Sequence, residues 1–159
     1  MPFTPLTEPP DGVAPDGPAL VVAVHDGRSV FVVDDDAPND GLFLGVLDGR
    51  WCFAVDVLDE PDVDLDRFRD LRMLWGTLDE VTWTVAGRAA QLVDWQRTHR
   101  FCGRCSTPTE PTRGERSRRC PRCGLVAFPR LAPAVITLIE RDDGRILLAR
   151  NVNFPVPFF

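Results

Sequence analysis

Phe101-Cys102-Gly103-Arg104-Cys105 and Cys120-Pro121-Arg122-Cys123-Gly124 are the two stretches on which the fold turns. Together they space four cysteines as Cys-x2-Cys-x14-Cys-x2-Cys. Four thiolates complete a tetrahedral zinc ion and leave no open position, so the pattern predicts a closed structural site and not a catalytic one. Each Cys-x-x-Cys-Ser/Gly run forms a turn that presents two sulfurs to one ion. A four-thiolate zinc centre carries a net charge of about −2, and Arg104, Arg119 and Arg122 stand close by in sequence to offset it. Reduced core cysteines, redox dithiols and an iron centre draw on the same residues and stay as alternatives. The fifth cysteine, Cys52, stands alone in an apolar run and reads as a small core residue.

Upstream of the first pair, Val81, Val85, Ala89, Leu92 and Gln96 follow a helical stripe, which predicts one helix from Leu78 to Thr98. Thr77-Leu78-Asp79-Glu80 has the spacing of a capping box with Thr77 as the N-cap. Gly87 inside this helix costs about 1 kcal/mol of propensity, which implies close packing or a hinge there. His99 follows the helix and reads as a C-terminal residue favoured by the dipole. Leu65, Phe68, Leu71 and Leu74 predict a short helix or turn. Further upstream, Ala19–Val24 and Ser29–Val33 join through His25-Asp26-Gly27-Arg28, and Leu42–Leu47 and Trp51–Leu58 join at Asp48-Gly49. Both read as β-hairpins of a small, mostly antiparallel unit, with His25 solvated in its turn. Residues 1–18, with six prolines, read as an irregular leader.

Downstream, the polar, Arg-rich segment 106–119 separates the two cysteine pairs. Leu131–Glu140 and Arg145–Arg150 predict two more strands around Asp142-Asp143-Gly144. The final Asn151–Phe159 is apolar and reads as cut in the middle of a fold. The expected fold class is therefore α+β: a small antiparallel β-rich unit with a long helix, then a four-cysteine ribbon, then one further hairpin.

The chain has 159 residues, of which 44% are apolar and 26% charged, an ordinary globular composition. No apolar run reaches the length of a transmembrane helix, and Met1–Gly12 has neither the basic nor the apolar region of a secretory signal. A reducing, cytoplasmic setting is expected. All 18 basic residues are arginine. Residues 1–80 carry 18 Asp/Glu against 5 Arg, and residues 81–159 carry 6 against 13. The acidic half repels phosphates, while the Arg cluster 113–122 either touches a phosphate or nucleic acid or forms a solvated face. Trp51, Trp75, Trp83 and Trp95 read as core or interface anchors. There is no Gly-rich phosphate loop, and with two histidines no nucleophilic triad can be drawn.

Several of these runs carry a family resemblance. Leu71-Arg72, Ala86-Gly87-Arg88-Ala89, Trp95-x3-His99-Arg100-Phe101-Cys102-Gly103-x-Cys105 and Cys120-Pro-x-Cys123-Gly-x3-Phe128-Pro129-Arg130-x2-Pro133-Ala134-Val135-Ile136 together resemble the NADH pyrophosphatases of the Nudix superfamily. The resemblance is specific from Leu71 to Arg150. It implies an N-terminal domain over 1–98, a zinc ribbon over 99–130 and the start of a Nudix domain over 131–159. It implies cleavage of the NAD(H) pyrophosphate to nicotinamide mononucleotide and AMP, and in some members removal of NAD caps from RNA. It further implies a homodimer, no membrane partner, zinc held by Cys102, Cys105, Cys120 and Cys123, and Mg²⁺ or Mn²⁺ in the catalytic domain. Phe128, where the family often has Tyr, and Arg72 match substrate contacts.

The family's catalytic box, Gly-x5-Glu-x7-Arg-Glu-x2-Glu-Glu-x-Gly, holds the catalytic metal on clustered glutamates. Here the sole glutamate after Arg130 is Glu140, so no box can be fitted. The chain alone is expected to be inactive, with no catalytic residue to name. Two competing readings are a stand-alone zinc-ribbon module that binds RNA or a protein, and a dimerisation element in which Phe154, Phe158 and Phe159 promote association.

Overall fold

Side chains alternate between the two faces of a strand, and the apolar runs of this chain use both faces. Leu20, Val22 and Val24 point to one side of strand β2 (Ala19–Val24), and Ala19 and Val21 to the other. The computed structural model describes residues 3–149 and 152–153. In it β2 pairs with β3 (Ser29–Asp35), and β4 (Leu42–Leu47) pairs with β5 (Arg50–Asp56), as the Asp-Gly turns predict. Asp48 and Gly49 both take positive φ, 49° and 81°, as a tight two-residue hairpin requires. With β1 (Thr4–Pro5) and β6 (Arg69–Asp70) at the edges, the sheet runs β1-β4-β5-β2-β3-β6.

One helix, α1 (Glu80–Thr98), covers one face. Its Val85, Ala86, Ala89, Ala90, Leu92 and Val93 bury against Leu20, Val22, Val24, Leu44, Cys52 and Ala54. Phe43 and Phe53 lie edge to face at 5.4 Å in the second cluster, on the other face, with Trp51 beside them. The bidentate Arg97–Asp56 pair ties the end of α1 to the end of β5. The class is thus α+β, with a mostly antiparallel sheet, as expected.

In this sheet-and-helix region five details differ from the expectations. First, β2 and β5 pair in parallel, in register from Leu20 with Cys52 to Val24 with Asp56. Two hairpins laid side by side bring these strands together, and their doubly apolar faces suit the sheet centre. Second, the leader 1–18 is not wholly irregular, because Thr4–Pro5 adds to β4. Pro5 is tolerated at this edge, and β1 passes so close that a Cβ on Gly45 would lie 2.2 Å from the Thr4 carbonyl oxygen. Third, the short helix or turn expected over 65–74 is resolved into two 3₁₀ turns, Leu65–Arg67 and Leu71–Leu74, separated by β6 and capped by Asp64 and Asp70. Fourth, Asp79 and not Thr77 caps α1. Its carboxylate accepts from the N–H of Val81 and Thr82, while the Thr77 N–H is engaged with the Leu74 carbonyl. Fifth, Trp75 is exposed and His25 packs half-buried against Phe68 at 6.2 Å.

The compact units are Met1–Pro129 and Arg130–Phe159. In the second, the expected hairpin is reduced to a turn. The Arg141 N–H donates to the Arg145 carbonyl, the Leu147 N–H donates to the Ile139 carbonyl, and Glu140 bridges Ile146, but no continuous strand forms among the described residues of this unit. Leu131, Val135 and Ile136 are almost fully exposed. A lone two-stranded ribbon with no apolar face covered is marginal in water. Arg150, Phe154, Phe158 and Phe159 lie outside the described residues.

Candidate metal centre

The ribbon begins where α1 stops. His99 caps the helix, its N–H donating to the Trp95 carbonyl and its ring Nδ1 lying 2.9 Å from the same oxygen. Three short strands then form a second sheet: β7 (Glu110–Pro111), β8 (Arg118–Arg119) and β9 (Val126–Ala127). The two cysteine turns are built alike. Cys102 N–H donates to the Thr107 carbonyl and Ser106 N–H to the Cys102 carbonyl, each at 2.8 Å. Cys120 N–H donates to the Leu125 carbonyl at 2.8 Å and Gly124 N–H to the Cys120 carbonyl at 3.0 Å. The matched residues Ser106 and Gly124 both adopt the left-handed conformation, φ 57° and 73°, that closes such a turn. Backbone N–H groups of Arg104 and Cys123 donate to the Cys102 and Cys120 sulfurs.

These turns bring the four sulfurs together. Cys102 Sγ lies 3.5 Å from Cys123 Sγ, and Cys105 Sγ lies 3.5 Å from Cys120 Sγ. All four lie within 4.8 Å of one another. Tetrahedral zinc with bonds of about 2.3 Å sets its sulfurs about 3.8 Å apart, so the donor set and the spacing fit this ion. The Thr107 hydroxyl and N–H hold the Cys105 thiol down to about 6. The Arg104 N–H lowers Cys102. At Cys123 the Leu125 N–H pulls downward, but burial and the neighbouring thiols outweigh it and push the group up to about 11. A metal ion bound here displaces the thiol protons, so its binding is coupled to pH. Cys52 takes no part: it is fully buried in β5, and burial raises its thiol to about 11.

Around this centre the arginines divide into two kinds. Arg104, Arg119 and Arg122 are exposed at the cysteine turns. Arg116 is half-buried, and one of its Nη atoms donates to the carbonyls of Leu6 (2.7 Å) and Phe43 (2.8 Å). It thereby fastens the ribbon to the edge of the main sheet, helped by the Gly114 N–H donating to Glu8 at 2.7 Å. Nothing in an Arg-rich run marks which member turns inward, so sequence reasoning missed Arg116. Arg118 folds back on its own ribbon, donating to the hydroxyl and carbonyl of Thr109.

The two residues expected to contact substrate are both at the surface. Arg72 is exposed in the 3₁₀ turn Leu71–Leu74, and Phe128 is exposed just after β9. Among the described residues no hydrogen bond, ion pair or ring contact links the two. No helix among the described residues is long and apolar enough to cross a membrane.

With this geometry in hand, comparison with known proteins is direct. A family described as the NADH pyrophosphatase-like rudimentary NUDIX domain matches residues 4–95. The NADH pyrophosphatase zinc ribbon domain matches residues 97–128. A protein named NAD-capped RNA hydrolase NudC from Deinococcus radiodurans is 40% identical over 138 residues, 82% of this chain and 48% of that protein. Proteins of the same name from Stutzerimonas stutzeri and Pseudomonas putida are 36% and 42% identical, over 83% and 70% of this chain and 52% and 40% of theirs. The chain thus spans about half the length of the curated relatives it matches. The ribbon family and the four clustered thiols together support a structural zinc ion. On its sheet-and-helix region and its four-cysteine ribbon alike, the chain belongs to the NADH pyrophosphatase family.

Proposed function

We propose that this chain is the N-terminal and zinc-ribbon region of a Nudix hydrolase that cleaves the pyrophosphate of NAD(H), and of NAD caps on RNA, to nicotinamide mononucleotide and AMP. The observation that carries the reading is the unbroken succession of the two family regions, 4–95 and then 97–128, with all four ribbon cysteines converged. On this reading residues 1–98 form the N-terminal domain, 99–130 the ribbon and 131–159 the first part of the Nudix domain. Cys102, Cys105, Cys120 and Cys123 are the zinc ligands. Phe128 offers a ring to a base, and Arg72 a cation to a phosphate. Mg²⁺ or Mn²⁺ would sit on box glutamates that residues 1–159 do not include. A cytoplasmic homodimer completes the reading.

Two measurements test it. The native gene product from cells should have an intact mass clearly above 17.7 kDa. Purified with Mg²⁺ or Mn²⁺, it should release AMP from NADH, and the 159-residue chain should not. A native product near 17.7 kDa that leaves NADH uncleaved overturns the proposal.

A further inference from the structure

Within the Ala86-Gly87-Arg88-Ala89 run the two alanines face the core, but Gly87 and Arg88 are not used by the zinc centre and line a cavity. Leu71, Trp83, Gly87, Arg88, Gln91 and Phe3 line an open space of about 480 Å³ between the N-terminal strand, the Leu71–Leu74 turn and α1. Cavities of this size take small organic ligands. Gly87 carries the first argument. A Cβ there would meet only Leu71 Cδ2, at an ordinary 3.7 Å, so the packing expected from the sequence does not explain the glycine. A helix-interior glycine that costs about 1 kcal/mol, with no neighbour demanding it, keeps the cavity floor low.

Trp83 carries the second argument. Its Nε1–H donates to the Leu71 carbonyl at 2.9 Å, and Trp75 braces the ring edge to face at 4.9 Å. The indole is therefore a fixed wall. Arg88 carries the third. It lines the cavity half-buried, and among the described residues its guanidinium makes no ion pair and no hydrogen bond. Burial lowers its pKa, and lowers that of Arg116, on which the Arg88 charge also bears. Arg116 is met by two carbonyls, which leaves Arg88 as the half-buried cation that an anion in the cavity would meet.

We propose that this cavity binds a nucleoside monophosphate, with its base against Trp83 and Phe3 and its phosphate on the Arg88 guanidinium. One free cation matches one anionic group, a guanidinium meets phosphate oxygens in bidentate fashion, and the aromatic walls match a flat ring. Gln91 adds an amide donor and acceptor at the rim. The site needs no bond cleavage, so it stands or falls separately from the hydrolase reading.

Titration calorimetry of the zinc-loaded 159-residue chain with AMP, adenosine and inorganic phosphate tests this. AMP should bind one to one and at least about tenfold tighter than adenosine or phosphate, the contribution of a charge-assisted pair. Arg88→Gln should weaken AMP by about the same factor and leave adenosine unchanged. Gly87→Ala should raise the melting temperature yet weaken AMP, an outcome that misfolding cannot produce. Absence of AMP binding, equal affinity in Arg88→Gln, or phosphate binding as tight as AMP would each overturn the proposal.

Discussion

The sheet-and-helix region and the ribbon lie in one compact unit, yet different physics holds them. The first buries a continuous apolar core: Val22, Val24, Leu44, Cys52, Val85, Ala86 and Ala89 are completely or almost completely sealed. The second buries almost nothing apolar. Its buried residues are Cys102, Ser117 and Cys120, and its strands are two residues long. A ribbon of about thirty residues cannot offset its ordering entropy by burial, so the metal must supply what the core supplies elsewhere. The contrast teaches that contiguity in a fold does not imply a shared source of stability. Arg116, spanning from the ribbon to Leu6 and Phe43, is one of the few polar bridges between the two regimes.

The largest break in this comparison is Cys120→Ser. Structural zinc in small domains contributes about 10–16 kcal/mol of apparent binding energy, so the variant should lose its zinc and its ribbon structure while the main sheet persists. Elemental analysis with circular dichroism checks both halves of that statement. The converse is Leu44→Ala, which should destabilise the sheet-and-helix region by about 2–5 kcal/mol in urea unfolding and leave zinc stoichiometry unchanged in the folded protein. Arg116→Gln probes the bridge. Losing a charged donor to two carbonyls should cost about 1–3 kcal/mol and raise hydrogen exchange at β1 and the ribbon loop more than in β2.

The smallest effect is Asp79→Ala, which should cost about 1 kcal/mol of helix stability. The Thr82 side chain and then its N–H hold this carboxyl below its ordinary 3.8. A carboxyl lowered on folding stabilises at pH above that ordinary value. The contribution fades as pH falls through the lowered value, so wild type and Asp79→Ala should converge in stability in acid. A constant gap down to pH 2, measured by urea unfolding, would contradict the cap.

Legibility in the sequence followed the same division. The cysteine spacing named the ribbon outright, because metal ligation needs fixed residue types at fixed intervals. The hairpins were legible from Asp26-Gly27 and Asp48-Gly49, where the turn demands positive φ. What escaped was non-local. The parallel union of β2 with β5 joins two hairpins that each look self-contained, and the edge strand at Thr4–Pro5 hides in a proline-rich leader. Thr77 read as the cap, but Asp79 takes that place because its carboxylate accepts two N–H groups at the positive end of the helix. Gly87 was noticed for its cost, but only the structure showed open space beside it. Arg116 was indistinguishable from its exposed neighbours, since burial of one arginine among many is set by the surface it meets.

The most direct test of the central claim is hydrogen exchange across the chain before and after zinc is stripped by a chelator. The account predicts that protection collapses over residues 100–127 and survives in β2, β5 and the buried face of α1. Retained protection in the ribbon, or simultaneous loss throughout the sheet, would contradict it.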